Sequence, residues 1–100
     1  MADTLELYAR HSLDGIYASN ECRTKCYELI KDIRGETAVF NGKNPRGLAA
    51  AVVYAACVQS YFEKTQLDVA ESLDIGTPTL SKHFKHLRQY FNARARRTNN

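Results

Sequence analysis

The last quarter of the sequence contains no acidic residue. Residues 76–100 hold six of the 14 Lys and Arg residues and none of the 11 Asp and Glu residues, so they carry a charge of +6, whereas residues 1–75 carry −3. Such an asymmetry favours a polyanionic partner. A solvated basic helix end explains the same charges without any partner, so charge alone leaves both interpretations open.

Long apolar runs and an even set of cysteines are also missing. No apolar segment approaches the length of a bilayer span, and the opening residues MADTLELYAR have no apolar signal-peptide core. The three cysteines, Cys22, Cys26 and Cys57, are an odd number and do not suggest a disulfide framework. We therefore predict an intracellular protein with reduced thiols and no membrane partner.

Patterns typical of catalysis and of metal binding are absent as well. The sequence has no Gly-rich phosphate loop and no orienting arrangement of Ser, His and acid, so we predict neither an enzyme nor a cofactor. The spacings of Cys22 with Cys26 and of His83 with His86 are compatible with a metal ion. Nothing joins the two pairs into one site, and there is no CxxC, so we predict buried thiols and surface imidazoles instead.

Helical periodicity dominates what is present, and no segment is a convincing strand. One hundred residues suit a single domain. We predict an all-α fold with helices at about residues 3–13, 20–34, 45–58, 65–74 and 77–91. Ser19 or Asn20 caps the second helix. A loop at 35–43 follows it, from which Val39 and Phe40 pack back onto the core.

The third helix has the clearest beginning and the most apolar composition. Asn44 is a good N-cap, and Pro45 suits the first helical position, where its missing N–H has no cost. The run GLAAAVVYAACV that follows is apolar on every face, which is typical of a helix buried on every side. Its alanines allow close approach, so we predict a central helix around which the others pack.

Residues 65–84, TQLDVAESLDIGTPTLSKHF, have the layout of a helix-turn-helix. Thr65 and Asp68 are spaced as a capping box that begins the fourth helix. The apolar positions of this helix are Leu67, Val69, Ala70 and Leu73. Ile75 and Gly76 form a tight turn in which Ile75 plugs the space between the two helices.

The fifth helix is predicted to begin with Thr77 as cap and Pro78 at the first position. A strict apolar stripe follows, made of Leu80, Phe84, Leu87 and Phe91. After Phe91 the helix is expected to fade into a basic tail. This divides the chain into a domain at 1–93 and a flexible tail at 94–100.

The second helix of a helix-turn-helix enters the major groove of DNA, so the fifth helix is predicted to supply the DNA contacts. Short polar side chains near its beginning allow close approach to base edges, and basic side chains further along reach phosphates. His83 and His86 add positive charge at lower pH, and the arginines of the tail add non-specific phosphate contacts. The predicted contacts are Thr77, Pro78, Thr79, Ser81, Lys82, His83, Lys85, His86, Arg88, Arg94, Arg96 and Arg97.

Residues 42–91 resemble a cyclin-fold repeat of transcription factor B, the archaeal and eukaryotic TFIIB family. The resemblance is carried by Gly42-Lys43-Asn44-Pro45, by the small-residue helix at 47–55, by Lys64-Thr65-Gln66, by Val69-Ala70 and by Thr79-Leu80. It implies a five-helix cyclin box around a buried central helix, closest to the C-terminal repeat of the family. That repeat reads a promoter element with its helix-turn-helix, beside TATA-binding protein. The resemblance also implies the archaeal cytoplasm or the eukaryotic nucleus.

The sequence departs from this family in three respects. These 100 residues contain no CxxC pair of a zinc ribbon and only one repeat, so a homodimer or a second protein would be needed to form the two-lobed clamp. Two recognition-helix positions that carry an aliphatic residue and an Arg in the family fall here on Pro78 and Ser81. The loss of that Arg removes the strongest kind of direct readout, a bidentate contact to guanine.

Two other interpretations stay open. In the first, the cyclin box is a protein-interaction module whose basic face binds an acidic surface of the transcription machinery. In the second, TPTLSKHFKHLRQ is the recognition helix of a winged-helix repressor, although no β-hairpin wing follows Phe91. The acid-free segment 76–100 favours DNA binding in transcription initiation or its regulation over a pure scaffold.

Overall fold

All the regular secondary structure in the described part of the chain is α-helical. The computed structural model describes residues 4–34 and 44–98, with side chains only as far as residue 95. Its five helices are α1 Thr4–Gly15, α2 Asn20–Arg34, α3 Pro45–Gln59, α4 Gln66–Ser72 and α5 Thr77–Thr98. No strand occurs in these ranges, so the all-α prediction is confirmed. The predicted loop at 35–43, with Val39 and Phe40, lies outside the described residues.

Helix α3 lies at the centre and packs against each of the other four helices. Ala49, Ala50 and Ala51 are completely buried, which lets the surrounding helices approach the α3 backbone closely. The predicted central helix is therefore confirmed. The prediction that this helix is buried on every side is wrong, because Val58 in the last turn is 53% exposed and Tyr54 is half-buried.

Hydrogen bonds identify the residues that cap the beginnings of α2 and α3. The Asn44 side chain accepts a hydrogen bond from the backbone N–H of Arg46 at 3.0 Å, and Pro45 is the first residue of α3, as predicted. For α2, Ser19 rather than Asn20 is the cap, since its hydroxyl accepts from the N–H of Cys22 at 3.2 Å. Each cap satisfies an N–H that the helix itself leaves unpaired.

Helices α1, α3 and α4 end in the same way, with a left-handed residue that is not glycine. Tyr17, Tyr61 and Asp74 have φ angles of 54°, 58° and 54°. In each case the next N–H bonds back across the turn, as from Ala18 to the Leu13 carbonyl at 2.9 Å, which forms a Schellman motif. The sequence does not predict left-handed residues at these three positions, because this conformation usually selects Gly or Asn.

Helix α5 is longer than predicted. It continues to Thr98, so the predicted end after Phe91 is wrong. Residues 92–98 contain Ala and Arg, which are strong helix formers, and no Gly or Pro. A flexible tail at 94–100, separate from a domain at 1–93, stays a prediction.

The three cysteines lie in the core between α2 and α3. The Sγ atoms of Cys22 and Cys57 are 3.7 Å apart, and all three thiols are buried, as predicted. Burial, with a smaller contribution from Cys22, raises the pKa of Cys26 to about 12. Burial likewise raises the pKa of Cys57. Cys26 and Cys57 therefore stay protonated near neutral pH and act as small apolar groups in packing.

No helix among the described residues is long and apolar enough to cross a membrane.

Candidate nucleic-acid interface

Helices α4 and α5 pack against each other and form the predicted helix-turn-helix. The capping box of α4 is present. The Thr65 hydroxyl accepts from the Asp68 N–H at 3.1 Å, and the Asp68 carboxylate accepts from the Thr65 N–H at 3.0 Å. The hydrogen bond from the Thr65 backbone N–H, and after it the Thr65 side-chain hydroxyl, lower the pKa of Asp68, because hydrogen bonds to the carboxylate favour its charged form.

The turn between the two helices is held by backbone hydrogen bonds. The N–H of Ile75 reaches the carbonyl of Ala70 at 3.1 Å across Asp74, and the half-buried Ile75 packs against the core, as predicted. The Gly76 carbonyl then accepts from the Leu80 N–H at 3.3 Å. Gly76 therefore occupies the cap position of α5, and the predicted cap at Thr77 is wrong by one residue.

The apolar stripe of α5 fixes this helix to α3. Leu80 and Leu87 are buried, with 0% and 1% exposure. Phe84 and Phe91 are half-buried against the same core. The ring of Phe84 meets the ring of Tyr54 edge to face at a centroid distance of 5.0 Å, a favourable aromatic geometry. The predicted stripe is therefore confirmed.

Two lysines lie on the side of α5 away from this stripe. Lys82 and Lys85 are exposed, and the helical repeat puts them opposite Leu80 and Leu87. We call the exposed side chains around them the basic face, which consists of Pro78, Ser81, Lys82, Lys85 and Arg88. All five are exposed.

The remaining predicted contact residues have different surroundings. Thr77 and Thr79 are half-buried at the beginning of α5. The Arg88 guanidinium lies 5.9 Å from the centre of the Phe84 ring, which holds it along the helix by a cation–π contact. Arg94 forms an ion pair with Asp32 of α2 at 3.8 Å, so its charge is directed toward α2. The side chains of Arg96 and Arg97 lie outside the described residues.

His83 and His86 are half-buried, so the prediction of surface imidazoles is wrong. The His83 ring lies against the backbone of α3 at Gly47, where an added Cβ would be 2.7 Å from Cε1. Its Nδ1 is 2.9 Å from the Thr79 carbonyl oxygen, to which it can donate a hydrogen bond. The His83 ring therefore fills the space between α5 and α3, and it fits there because position 47 is a glycine.

This contact predicts that Gly47→Ala has opposite effects on the free energy of unfolding in the presence and in the absence of the His83 ring. Gly47→Ala in the otherwise unchanged protein should lower the free energy of unfolding by about 1–3 kcal/mol, because the new methyl group overlaps His83. In a His83→Ala background the same substitution should raise it by about 1 kcal/mol, which is the helix-propensity gain of Ala over Gly. Urea denaturation of the four proteins measures both differences. Equal effects in the two backgrounds would contradict the contact.

A buried hydroxyl pair joins α4 to α1. Ser12 is completely buried, and its Oγ is 2.6 Å from the Oγ of Ser72. The Ser72 hydroxyl donates to the Val69 carbonyl, so Ser12 is the donor to Ser72. An added Cβ on Gly15 would lie 3.3 Å from the Cβ of Ser72, which shows how closely α1 and α4 approach. This contact positions the first helix of the helix-turn-helix.

A second polar contact joins the two helices of the helix-turn-helix directly. The Ser81 hydroxyl donates a hydrogen bond to the Gln66 side-chain oxygen at 2.5 Å. The sequence predicts Ser81 as a contact residue but does not predict Gln66, although Gln66 belongs to the Lys64-Thr65-Gln66 motif. No local pattern predicts the contact, because it depends on how α4 crosses α5.

Comparison with known proteins agrees with this architecture. The model of the transcription factor TFIIB repeat matches residues 2–90. The chain is 34% identical over 82 residues to transcription initiation factor IIB 2 of Haloferax volcanii, covering 82% of the chain and 24% of that protein. It is 34% identical over 82 residues to transcription initiation factor IIB 6 of Halobacterium salinarum, covering 82% and 25%. No solved structure matches the chain significantly.

A third relative, transcription initiation factor IIB of Haloarcula vallismortis, is 34% identical over 67 residues, which cover 67% of the chain and 58% of that protein. The chain thus spans about a quarter of the first two relatives and little more than half of the third. Because the family model covers nearly the whole chain, the chain belongs to the transcription factor TFIIB repeat family.

Proposed function

We propose that this chain binds double-stranded DNA through the helix-turn-helix of α4 and α5 and acts in transcription initiation or its regulation. The observation that carries the proposal is the basic face. It presents Lys82, Lys85 and Arg88 to solvent on a helix that has no acidic residue from its first residue to its last.

The chemistry of the basic face suits the major groove of DNA. Thr77 and Ser81 are short, so the beginning of α5 can come close to base edges. Lys82 and Lys85 are long basic side chains, and their ammonium groups can reach the phosphates that border the groove. Phosphate contacts supply most of the affinity, and the few base contacts decide the sequence preference.

The names of the relatives support the transcriptional part of the proposal, since each is a transcription initiation factor IIB. We propose promoter DNA and TATA-binding protein as the partners, as the family resemblance implies. His83, His86 and Arg94 make a smaller contribution than the basic face, because their side chains are directed toward α3 or α2 or are half-buried.

A gel-shift series tests this proposal. Promoter DNA is titrated with the protein at low salt, with and without TATA-binding protein. We expect a retarded band in at least one series. Binding only in the ternary mixture supports a role beside TATA-binding protein, and binding to DNA alone supports an independent regulator. The absence of any retardation in both series would contradict DNA binding.

A protein-interaction module is the second candidate, and two exposed tyrosines favour it. Tyr17 and Tyr61 follow α1 and α3 and are 86% and 92% exposed. Tyrosine is enriched at protein interfaces, where its apolar ring is buried and its hydroxyl finds a partner. Under this alternative, the basic face binds an acidic protein surface, and the gel shift shows no band with DNA.

A further inference from the structure

An apolar groove lies on the surface between the C-terminal half of α3 and the middle of α5. Its volume is about 220 Å³. This is below the roughly 300–1,000 Å³ of sites that enclose small molecules, so single side chains of a partner protein suit it better. The apolar residues that line the groove are Ala55, Val58, Phe84, Leu87 and Phe91.

The apolar surface continues beyond the groove at the end of α3. Val58 is 53% exposed at the edge of the groove and also lines a neighbouring depression together with Tyr61 and Phe62. Tyr61 is 92% exposed. Exposed apolar side chains that join into one surface, unlike isolated ones, mark interaction sites.

The charge at the groove is positive. Of the described residues that line it, Arg88 is the only charged one, and its guanidinium lies 5.9 Å from the centre of the Phe84 ring. Arg88 forms no ion pair with another described residue, and α5 has no acidic residue. In the neighbouring depression, Glu63 and Lys64 offset each other. A partner that carries a carboxylate beside its apolar side chains therefore complements the groove.

The shape of the groove favours a helix over an extended peptide. Phe84, Arg88 and Phe91 follow one another along α5 at steps of four and three residues, so they form a ridge of the kind against which another helix packs. An amphipathic helix presents its apolar side chains at the same spacing. The described ranges contain no strand whose edge could bind an extended peptide.

We propose that this groove is the docking site for an acidic amphipathic helix of a partner protein. The apolar stripe of that helix packs on Val58, Phe84 and Phe91, and one of its carboxylates pairs with Arg88. The groove shares only Arg88 with the basic face, and the inference does not depend on the proposed DNA binding. It also differs from the binding of an acidic surface by the basic face, because apolar contacts supply most of the affinity.

Three labelled peptides of about 15 residues test the chemistry of the occupant by fluorescence anisotropy. The first is an amphipathic helix with leucines along one stripe and glutamates on the other sides. The second keeps the glutamates and replaces the leucines with glutamine. The third keeps the leucines and replaces the glutamates with lysine. We expect the first peptide to bind and the other two to bind at least about fivefold more weakly.

Matched variants test the location of the site. Val58→Asn should lower the affinity for the first peptide roughly tenfold, because the apolar area that the peptide covers is lost. Leu7→Asn is the control and should keep the affinity, since Leu7 of α1 is 51% exposed and lies outside the groove. Both side chains reach solvent, so both variants should melt close to the wild type, which circular dichroism checks.

Methyl NMR spectra of the unchanged protein locate the site without any substitution. Addition of the first peptide should shift the methyl signals of Ala55, Val58 and Leu87 and leave those of Leu7 in place. Arg88→Gln should narrow the difference in affinity between the first and the third peptide, because the carboxylate loses its partner.

Each contrary result overturns a stated part of the inference. Equal binding of the first and second peptides would show that charge alone attracts them, and equal binding of the first and third would exclude an acidic partner. Equal losses in Val58→Asn and Leu7→Asn, or methyl shifts outside the groove, would contradict the location. Self-association that Val58→Asn abolishes, measured by sedimentation, would make a second copy of the chain the occupant. None of these measurements contains DNA, so the groove and the proposed DNA binding fail separately.

Discussion

The double variant Lys82→Glu/Lys85→Glu should lose most of its affinity for DNA while its helices remain folded. Both lysines are exposed on the basic face and contribute nothing to the buried stripe of α5. Each phosphate contact adds about 0.9 to the slope with which the logarithm of the affinity falls against the logarithm of salt concentration. Losing two contacts should therefore lower the affinity roughly 60-fold at 0.1 M salt. Charge reversal adds repulsion, and we expect a loss of about 100-fold or more.

A second double variant provides the matched control. Lys25→Glu/Lys31→Glu changes the net charge by the same amount on α2, which packs against α1 and α3. The ion pair that it breaks, between Lys25 and Glu28 at 3.4 Å, lies on the surface and contributes little to stability. Fluorescence anisotropy with a labelled duplex compares the affinities. Equal weakening by the two double variants would show that only net charge matters and would contradict a localised interface.

The largest expected loss of stability follows from Leu80→Ala. Leu80 is completely buried and anchors the beginning of α5 against the core. Replacing a buried Leu by Ala removes the burial of three carbon atoms and leaves a cavity, at a cost of about 2–5 kcal/mol. A domain of this size has roughly 5–15 kcal/mol of total stability, so this one substitution removes a large share.

Leu67→Ala is the control for Leu80→Ala, because it makes the same chemical change at a side chain that is not buried. The sequence pattern predicts Leu67 at an apolar position of α4, but its side chain is 54% exposed. A surface substitution of this kind should change the free energy of unfolding by less than about 0.5 kcal/mol. Urea denaturation of both variants measures the difference. Similar losses for Leu67→Ala and Leu80→Ala would contradict the packing of the helix-turn-helix.

Local patterns in the sequence predicted the framework of this fold. The Asn44 cap with Pro45, the Thr65–Asp68 capping box and the apolar stripe of α5 each depend on residues a few positions apart, and the structure confirms all three. The match to the TFIIB repeat confirms the predicted resemblance, and with it a cyclin-type fold in a family of transcription factors rather than enzymes.

The features that the sequence did not predict depend on how helices meet. The exposure of Leu67 follows from the side of α4 that faces the core, and Ser12 of α1 helps to set it through Ser72. The position of His83 on a polar segment of α5 predicts a surface residue, whereas α3 brings Gly47 against its ring. The contact of Gln66 with Ser81 needs the crossing of α4 and α5 and is invisible to any pattern within one helix.

The salt dependence of DNA binding by the wild type tests the central claim most directly. Four to six phosphate contacts along the basic face and its surroundings predict that the logarithm of the affinity falls with the logarithm of salt concentration with a slope of about −4 to −5. Anisotropy titrations of one duplex at several salt concentrations measure this slope. A slope in that range, reduced by about two in Lys82→Glu/Lys85→Glu, is the predicted result. No binding at low salt, or a slope near zero, would contradict the proposal that α5 binds DNA.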